Sequence, residues 1–341
     1  MSIKSFLKRK NIEFSVRRYF IEALGAMALG LFASLIVGLI LRTIGDELNI
    51  GFLSEFGGVA MSMMGPAIGV AVAHGLGAPP LVLFACAAAG AAGAAAGGGL
   101  GGPAGAFVGA VVGAEFGKAV SRETRLDIVV TPAVTILAGV GTGTVVGGFV
   151  GQFMVGLGQV IMTATNLQPV PMGFLVAVLM GLALTAPISS AALAIMLQLG
   201  GLAAGAATVG CAAQMVGFAV AGYRENGSSG LVSQGLGTSM LQIPNIVKNP
   251  WILLPPTLAG ALLGPLATTV FRMENLPAGA GMGTSGLVGQ IFTLTAMGRS
   301  PSVLLAILLL HFILPGLLAG VFARQLRRLG RIREGDYRLE L

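Results

Sequence analysis

The chain has 341 residues, of which 55% are hydrophobic and only 10% charged, with a formal net charge of +7. A soluble fold needs more polar cover than this, since soluble domains are roughly a quarter charged, so the composition predicts an all-α polytopic membrane protein of about ten crossings, each of roughly 20 residues. The surplus of positive charge gathers at the two ends beside apolar runs, which points to a membrane surface and not to nucleic acid.

Residues 1–18 form a basic segment carrying Lys4, Lys8, Arg9, Lys10, Arg17 and Arg18. The apolar run behind it, 19–42, is too long for a signal peptide and predicts the first span. Asp46, Glu47 and Asn49 then suit an outer loop. Further spans are expected at 56–75, 80–98, 101–120 and 132–153, with a basic inner loop holding Lys118, Arg122 and Arg125. Glycines at small-residue spacing, such as Gly90, Gly93 and Gly97 or Gly105, Gly109 and Gly113, predict close helix contact. Glu115 and Lys118 are one helical turn apart and predict an interfacial pair. Cys86 and Cys211 lie in apolar stretches, read as small core residues, and make neither a disulfide framework nor a zinc site.

The second half has apolar runs at 171–199, 200–222, 251–271 and 301–323. Two stretches between them, 228–249 and 279–298, carry Ser, Thr, Gln and Asn among Gly and Leu. They are too polar for a lipid-facing helix and too apolar for a solvent loop. Irregular backbone at membrane depth survives only inside protein or along a wet cavity, so re-entrant hairpins are expected there. Nine plain spans need a tenth crossing, from one of these stretches or the Pro187 region, to leave both termini cytoplasmic. Residues 19–324 are then one transmembrane domain. The tail 325–341 continues a basic cluster of Arg324, Arg327, Arg328, Arg331, Arg333 and Arg338.

One pattern recurs: Gly235-Leu-Gly-Thr-Ser239 and Gly281-Met-Gly-Thr-Ser285, each followed by a polar stretch, a proline (Pro250, Pro301) and a long apolar run. Gly65-Pro66 and Ala186-Pro187 form a weaker pair. Internal repeats mark transporter folds whose sites lie near the midplane, where discontinuous helices meet. The two elements serve either as helix caps or as ligand contacts, and in the second case they are expected to converge on one buried polar cavity. Ionisable groups at membrane depth are functional suspects. The candidate substrate-binding set is therefore Arg224, Glu225, Asn226, Thr238, Ser239, Gln242, Asn245, Thr284, Ser285 and Gln290, with His74. His74 and His311 are lone histidines, read either as core residues or as parts of a proton relay. The sequence has no G-x-S-x-G, no H-E-x-x-H and no clustered carboxylates, so neither catalysis, a metal nor a cofactor is expected.

The run 223–246, together with Pro255-Pro256, Gly264-Pro265, Glu274-Asn275 and the run 281–290, resembles the stand-alone enzyme IIC-like membrane proteins of the bacterial phosphotransferase system. A branch of that family contains a clostridial regulator of toxin expression. The resemblance implies about ten spans with re-entrant hairpins, a homodimer in the bacterial plasma (inner) membrane, and a sugar-type solute. It also places Gly222-Tyr-Arg-Glu225 opposite the family's Gly-Ile-Thr-Glu sugar motif, with only the first and last residues in common. Any phosphotransfer then needs separate cytoplasmic partner proteins. The expected function is a transport subunit for a small polar solute. The alternatives are a solute sensor or regulator without net transport, and an ion- or proton-coupled carrier of an anionic solute, which Arg224 and Lys248 would suit.

Overall fold

The computed structural model describes residues 3–339; the outermost two residues of the expected basic N-terminal segment and C-terminal tail lie outside that range. Among the described residues regular structure is helical, apart from a single bridge in which Gly201 and Asn275 exchange backbone hydrogen bonds of 3.1 and 3.2 Å. Five helices are long and apolar enough to cross a membrane: Arg18–Leu48, Asp127–Thr165, Gly201–Ala221, Pro250–Thr269 and Pro301–Arg328. The pair Gly51–Ser62 and Met64–Gly75, bent by 52°, makes a sixth if it crosses as one span. Shorter apolar helices occupy Pro80–Ala95, Pro169–Thr185 and Ser285–Met297.

Helix boundaries follow local chemistry. Prolines stand in the first turn of the helices opening at Pro80, Gly102, Pro169, Pro250, Pro277 and Pro301, where a missing N–H costs nothing. Ser189 and Ser300 accept the backbone N–H groups of Ala192 and Val303 and cap their helices. The apolar run 171–199 does not form one helix. It breaks after Thr185, because Ala186 precedes Pro187 and is held extended (ψ 158°). The run 132–153 instead extends to a helix of 39 residues: Gln152, Gln159 and Thr163 end the hydrophobic pattern but do not stop a helix.

The chain divides into two compact units. The first comprises Met1–Gly38 with Glu55–Phe153, the second Leu39–Ser54 with Met154–Leu341. In the first unit, helices Met64–Gly75, Pro80–Ala95 and Gly102–Val120 pack at glycine contacts. A methyl added at Gly93 would run into the Gly105 carbonyl. The expected interfacial pair turns out to be buried. Lys118 donates to Glu115 Oε1 at 3.0 Å and also to the Asn11 and Leu76 carbonyls at 2.9 and 3.1 Å. One ammonium thus spends its three protons on backbone and carboxylate inside the protein. In the second unit, helix Gly201–Ala221 is the centre and is buried along almost its whole length. Pro169–Thr185, Pro250–Thr269 and the end of Pro301–Arg328 surround it. Gly210 lies so close to Ala177 that a methyl would meet its carbonyl, and Gly217 packs on Pro256 and Ala319.

Candidate functional site

The two semi-polar stretches fold as chains of short, broken helices in the second unit. The first runs through Tyr223–Val232, a wide turn Ser233–Gly237, a tight turn Ser239–Gln242 and Ile243–Lys248. The second runs through Pro277–Ala280, Ser285–Leu287 and Val288–Met297. Glycine permits the breaks: Gly227, Gly283 and Gly286 have φ of 60°, 53° and 53°. Leu287 also adopts a left-handed φ of 60°, a conformation that costs a residue with a Cβ about 1–2 kcal/mol.

The two glycine-threonine-serine elements meet. The Thr284 hydroxyl donates to the Gly235 carbonyl and touches Met215 Sδ. Gly283 lies against the backbone of Cys211 on the central helix. On the first element, Thr238 caps the turn by accepting the Met240 N–H. Ser239 shares a hydroxyl–hydroxyl bond of 2.8 Å with Thr185, which reaches Gln214 Oε1 at 3.3 Å; Gln214 donates to Thr257 at 2.8 Å. On the second, Gln290 Nε2 bonds the Gly283 carbonyl at 3.3 Å and His311 Nδ1 at 2.9 Å. Asn275 ties the same region together, donating to Thr208 Oγ1 and the Gly289 carbonyl at 2.7 and 2.9 Å.

Bonds between these groups leave some capacity unused. Ser285 Oγ, Gln290 Oε1 and His311 Nε2 are buried without a hydrogen-bond partner among the described residues. Since the Gln290 amide nitrogen can only donate, His311 Nδ1 accepts and its proton sits on Nε2. The layer therefore offers an unpaired amide acceptor, an unpaired imidazole donor and a hydroxyl of either character. Buried polar atoms are nearly always paired, so three orphans are a chemical signal. Among the described residues, the buried polar residues of this unit carry hydroxyls, amides and one imidazole; the Glu225 carboxylate, its side chain only 6% exposed, is paired with Arg327.

Four other expected site residues bond towards the end of the chain. Glu225, Asn226, Gln242 and Asn245 grip the C-terminal tail. Glu225 accepts from Arg327 at 2.7 Å and from the Tyr337 N–H at 2.8 Å. Asn226 donates to the Tyr337 carbonyl and accepts the Leu339 N–H, both at 2.8 Å. Gln242 donates to Gln234 and to the Tyr337 carbonyl, and Asn245 donates to Gln242 and to the Arg338 carbonyl. Tyr337 is fully buried, edge-on to Phe218. Partial burial pushes the Glu225 carboxyl above its ordinary range, although the Tyr337 N–H and Arg327 pull the other way. Burial pushes the Tyr337 phenol up as well.

Arg224 is exposed in a surface pocket. His74 belongs to the first unit, where it is exposed and lines a cavity of about 670 Å³. Sequence reasoning overlooked Thr185, Gln214, Gln234, Asn275 and Tyr337. Gln214 was detectable as the one amide in an apolar helix of 21 residues, and Asn275 as part of the Glu274-Asn275 motif. Nothing local marks Tyr337, whose hydrogen-bond partners lie some 85–112 residues away in sequence.

Among curated proteins and among solved structures, nothing matches the chain. A family model described as phosphotransferase system, EIIC, matches residues 21–339. That stretch takes in most of both compact units, the two broken-helix elements and the docked tail, and on this match the chain belongs to the phosphotransferase system enzyme IIC family of membrane transport subunits.

Proposed function

We propose that the chain is a transport subunit for an uncharged sugar, held in the second unit by the polar layer around Thr284, Ser285, Gln290 and His311. The observation that carries this reading is the chemistry of that layer: hydroxyls, amides and one histidine, with an acceptor and a donor unspent. A sugar hydroxyl both donates and accepts, and so matches this set. An anionic solute would favour a buried cation, and the arginines of this unit are not among the buried residues. The subunit works as a homodimer in the bacterial plasma membrane with both termini cytoplasmic. Phosphate transfer to the sugar falls to separate cytoplasmic proteins. Purified protein screened by thermal shift is expected to be stabilised by sugars and not by organic anions. Gln290→Leu should weaken that sugar binding by about 0.5–1.5 kcal/mol, the net value of one neutral hydrogen bond. Stabilisation by organic anions alone would defeat the proposal.

A sensor without net transport has one observation behind it. Glu225, Asn226, Gln242 and Asn245 all hold the tail, so a solute that disturbed the first broken element would release a cytoplasmic signal. Uptake of a labelled, stabilising sugar into proteoliposomes separates the two: accumulation supports transport, and binding without uptake supports sensing.

A further inference from the structure

Helices Gly201–Ala221 and Pro301–Arg328 end together, and beside their ends lies a pocket of about 330 Å³. Arg224, Arg324 and Arg327 line it with Tyr223, against the apolar side chains of Val220 and Leu231. Arg327 is neutralised by Glu225 at 2.7 Å. Glu225 is then spent, because its other oxygen accepts the Tyr337 N–H. Arg224 and Arg324 are exposed and have no ion pair or hydrogen bond to their side chains among the described residues. Three guanidinium groups therefore face one carboxylate, with two of them free to bind.

The surroundings are those of a membrane boundary. Tyr223 and Trp251 are both about half exposed at this end of the unit, as aromatics are at a bilayer interface. Arg331 stacks over Trp251 at 4.9 Å. Basic pockets between spanning helices at such a boundary recognise anionic headgroups, and guanidinium is the side chain best matched to phosphate oxygens. The volume is at the small end of ligand sites, which suits a headgroup-sized anion. The apolar wall of Val220 and Leu231 continues the pocket towards the acyl region.

We infer that Arg224 and Arg324 form a binding site for a phosphate-bearing anion, separate from the buried solute layer. The shared chemistry is a phosphate group, supplied either by an anionic phospholipid or by free phosphate. The test is native mass spectrometry of the full-length, delipidated protein titrated with phosphatidylglycerol or phosphatidylcholine, with inorganic phosphate followed in parallel by thermal shift. Wild type is expected to retain one phosphatidylglycerol in preference to phosphatidylcholine. Arg224→Gln and Arg324→Gln should each weaken it about fivefold, the scale of one basic residue at an anionic surface. Arg328→Gln, a neighbouring exposed arginine that does not line the pocket, should leave binding unchanged. Stabilisation by inorganic phosphate with the same dependence on Arg224 and Arg324, and no lipid preference, would assign the site to free phosphate. The inference is overturned if phosphatidylcholine binds as well as phosphatidylglycerol and phosphate has no effect. Loss of binding that is equal in Arg328→Gln and the two pocket variants would overturn it too. Because both pocket arginines are exposed and unpaired, elution as a sharp peak in size-exclusion chromatography is expected of every variant.

Discussion

Glu225 holds two partners that are distant in sequence, the Arg327 guanidinium and the Tyr337 N–H. Hydrogen bonds to a charged group are worth about 1.5–3 kcal/mol each, so Glu225→Ala should free the tail while leaving the helices folded. Tryptic cleavage after Arg333 is expected to rise sharply in that variant, and unchanged cleavage would show that the tail is held by other means. Tyr337→Ala should undock the tail by another route, because truncating a buried aromatic costs about 3–5 kcal/mol. At the other end of the chain, Glu123 pairs with Arg9 at 2.7 Å and Lys10 at 2.5 Å. The Lys10 hydrogen bond, followed by those of Arg9, holds the Glu123 carboxyl below its ordinary value. A lowered carboxylate pKa contributes stability that is present above the unfolded value and lost as pH falls through the folded one. A spin label at Lys8→Cys is therefore expected to gain mobility on acidification below the ordinary glutamate range. In Glu123→Gln it should be mobile already at neutral pH, with no further change on acidification. Thr284 illustrates a role that residue type alone does not reveal. Its hydroxyl donates to the Gly235 carbonyl, which clasps the two broken elements together.

Among the helices, glycine spacing has two meanings that only neighbours distinguish. Gly210 faces the Ala177 carbonyl at the heart of the second unit, whereas Gly156 has nothing close to where a Cβ would stand. Gly210→Ala is expected to lower stability by about 1–3 kcal/mol through overpacking. Gly156→Ala should instead raise it by roughly 0.5–1 kcal/mol through helix propensity. Thermal unfolding in detergent measures both, and equal shifts of the same sign would refute the packing account. Much of the element pattern was legible beforehand: runs near 19–42, 200–222, 251–271 and 301–323 correspond to long apolar helices. The break at Ala186-Pro187 was marked by the proline itself. The extension of the helix to Thr165 was not marked, since hydropathy reports lipid or core contact while helix length depends on the absence of a breaker. The buried state of Lys118 was equally illegible, because it depends on the carbonyls of Asn11 and Leu76.

For the molecule as a whole, basic residues beside the first and last apolar helices predict that both ends face the cytoplasm. Cysteines placed at Lys8 and Arg333 should react with an impermeant reagent only after the cells are permeabilised; labelling of either in intact cells would reverse the topology. The sequence by itself determined membrane residence, helical class, family membership and the location of the two semi-polar breaks. These follow from composition and from neighbours a few residues apart, which act directly on solvent preference and backbone conformation. Only the tertiary structure decided how the polar residues divide their bonds. Thr284 meets Gly235 across 49 residues and Glu225 meets Tyr337 across 112, so the clasp, the tail lock and the unspent groups of Ser285, Gln290 and His311 exist only once those distant segments are packed together. A hydrogen-bonding side chain carries its capacity in the sequence, but where that capacity is satisfied, and where it is left open to a ligand, depends on partners that folding brings within 3 Å or so.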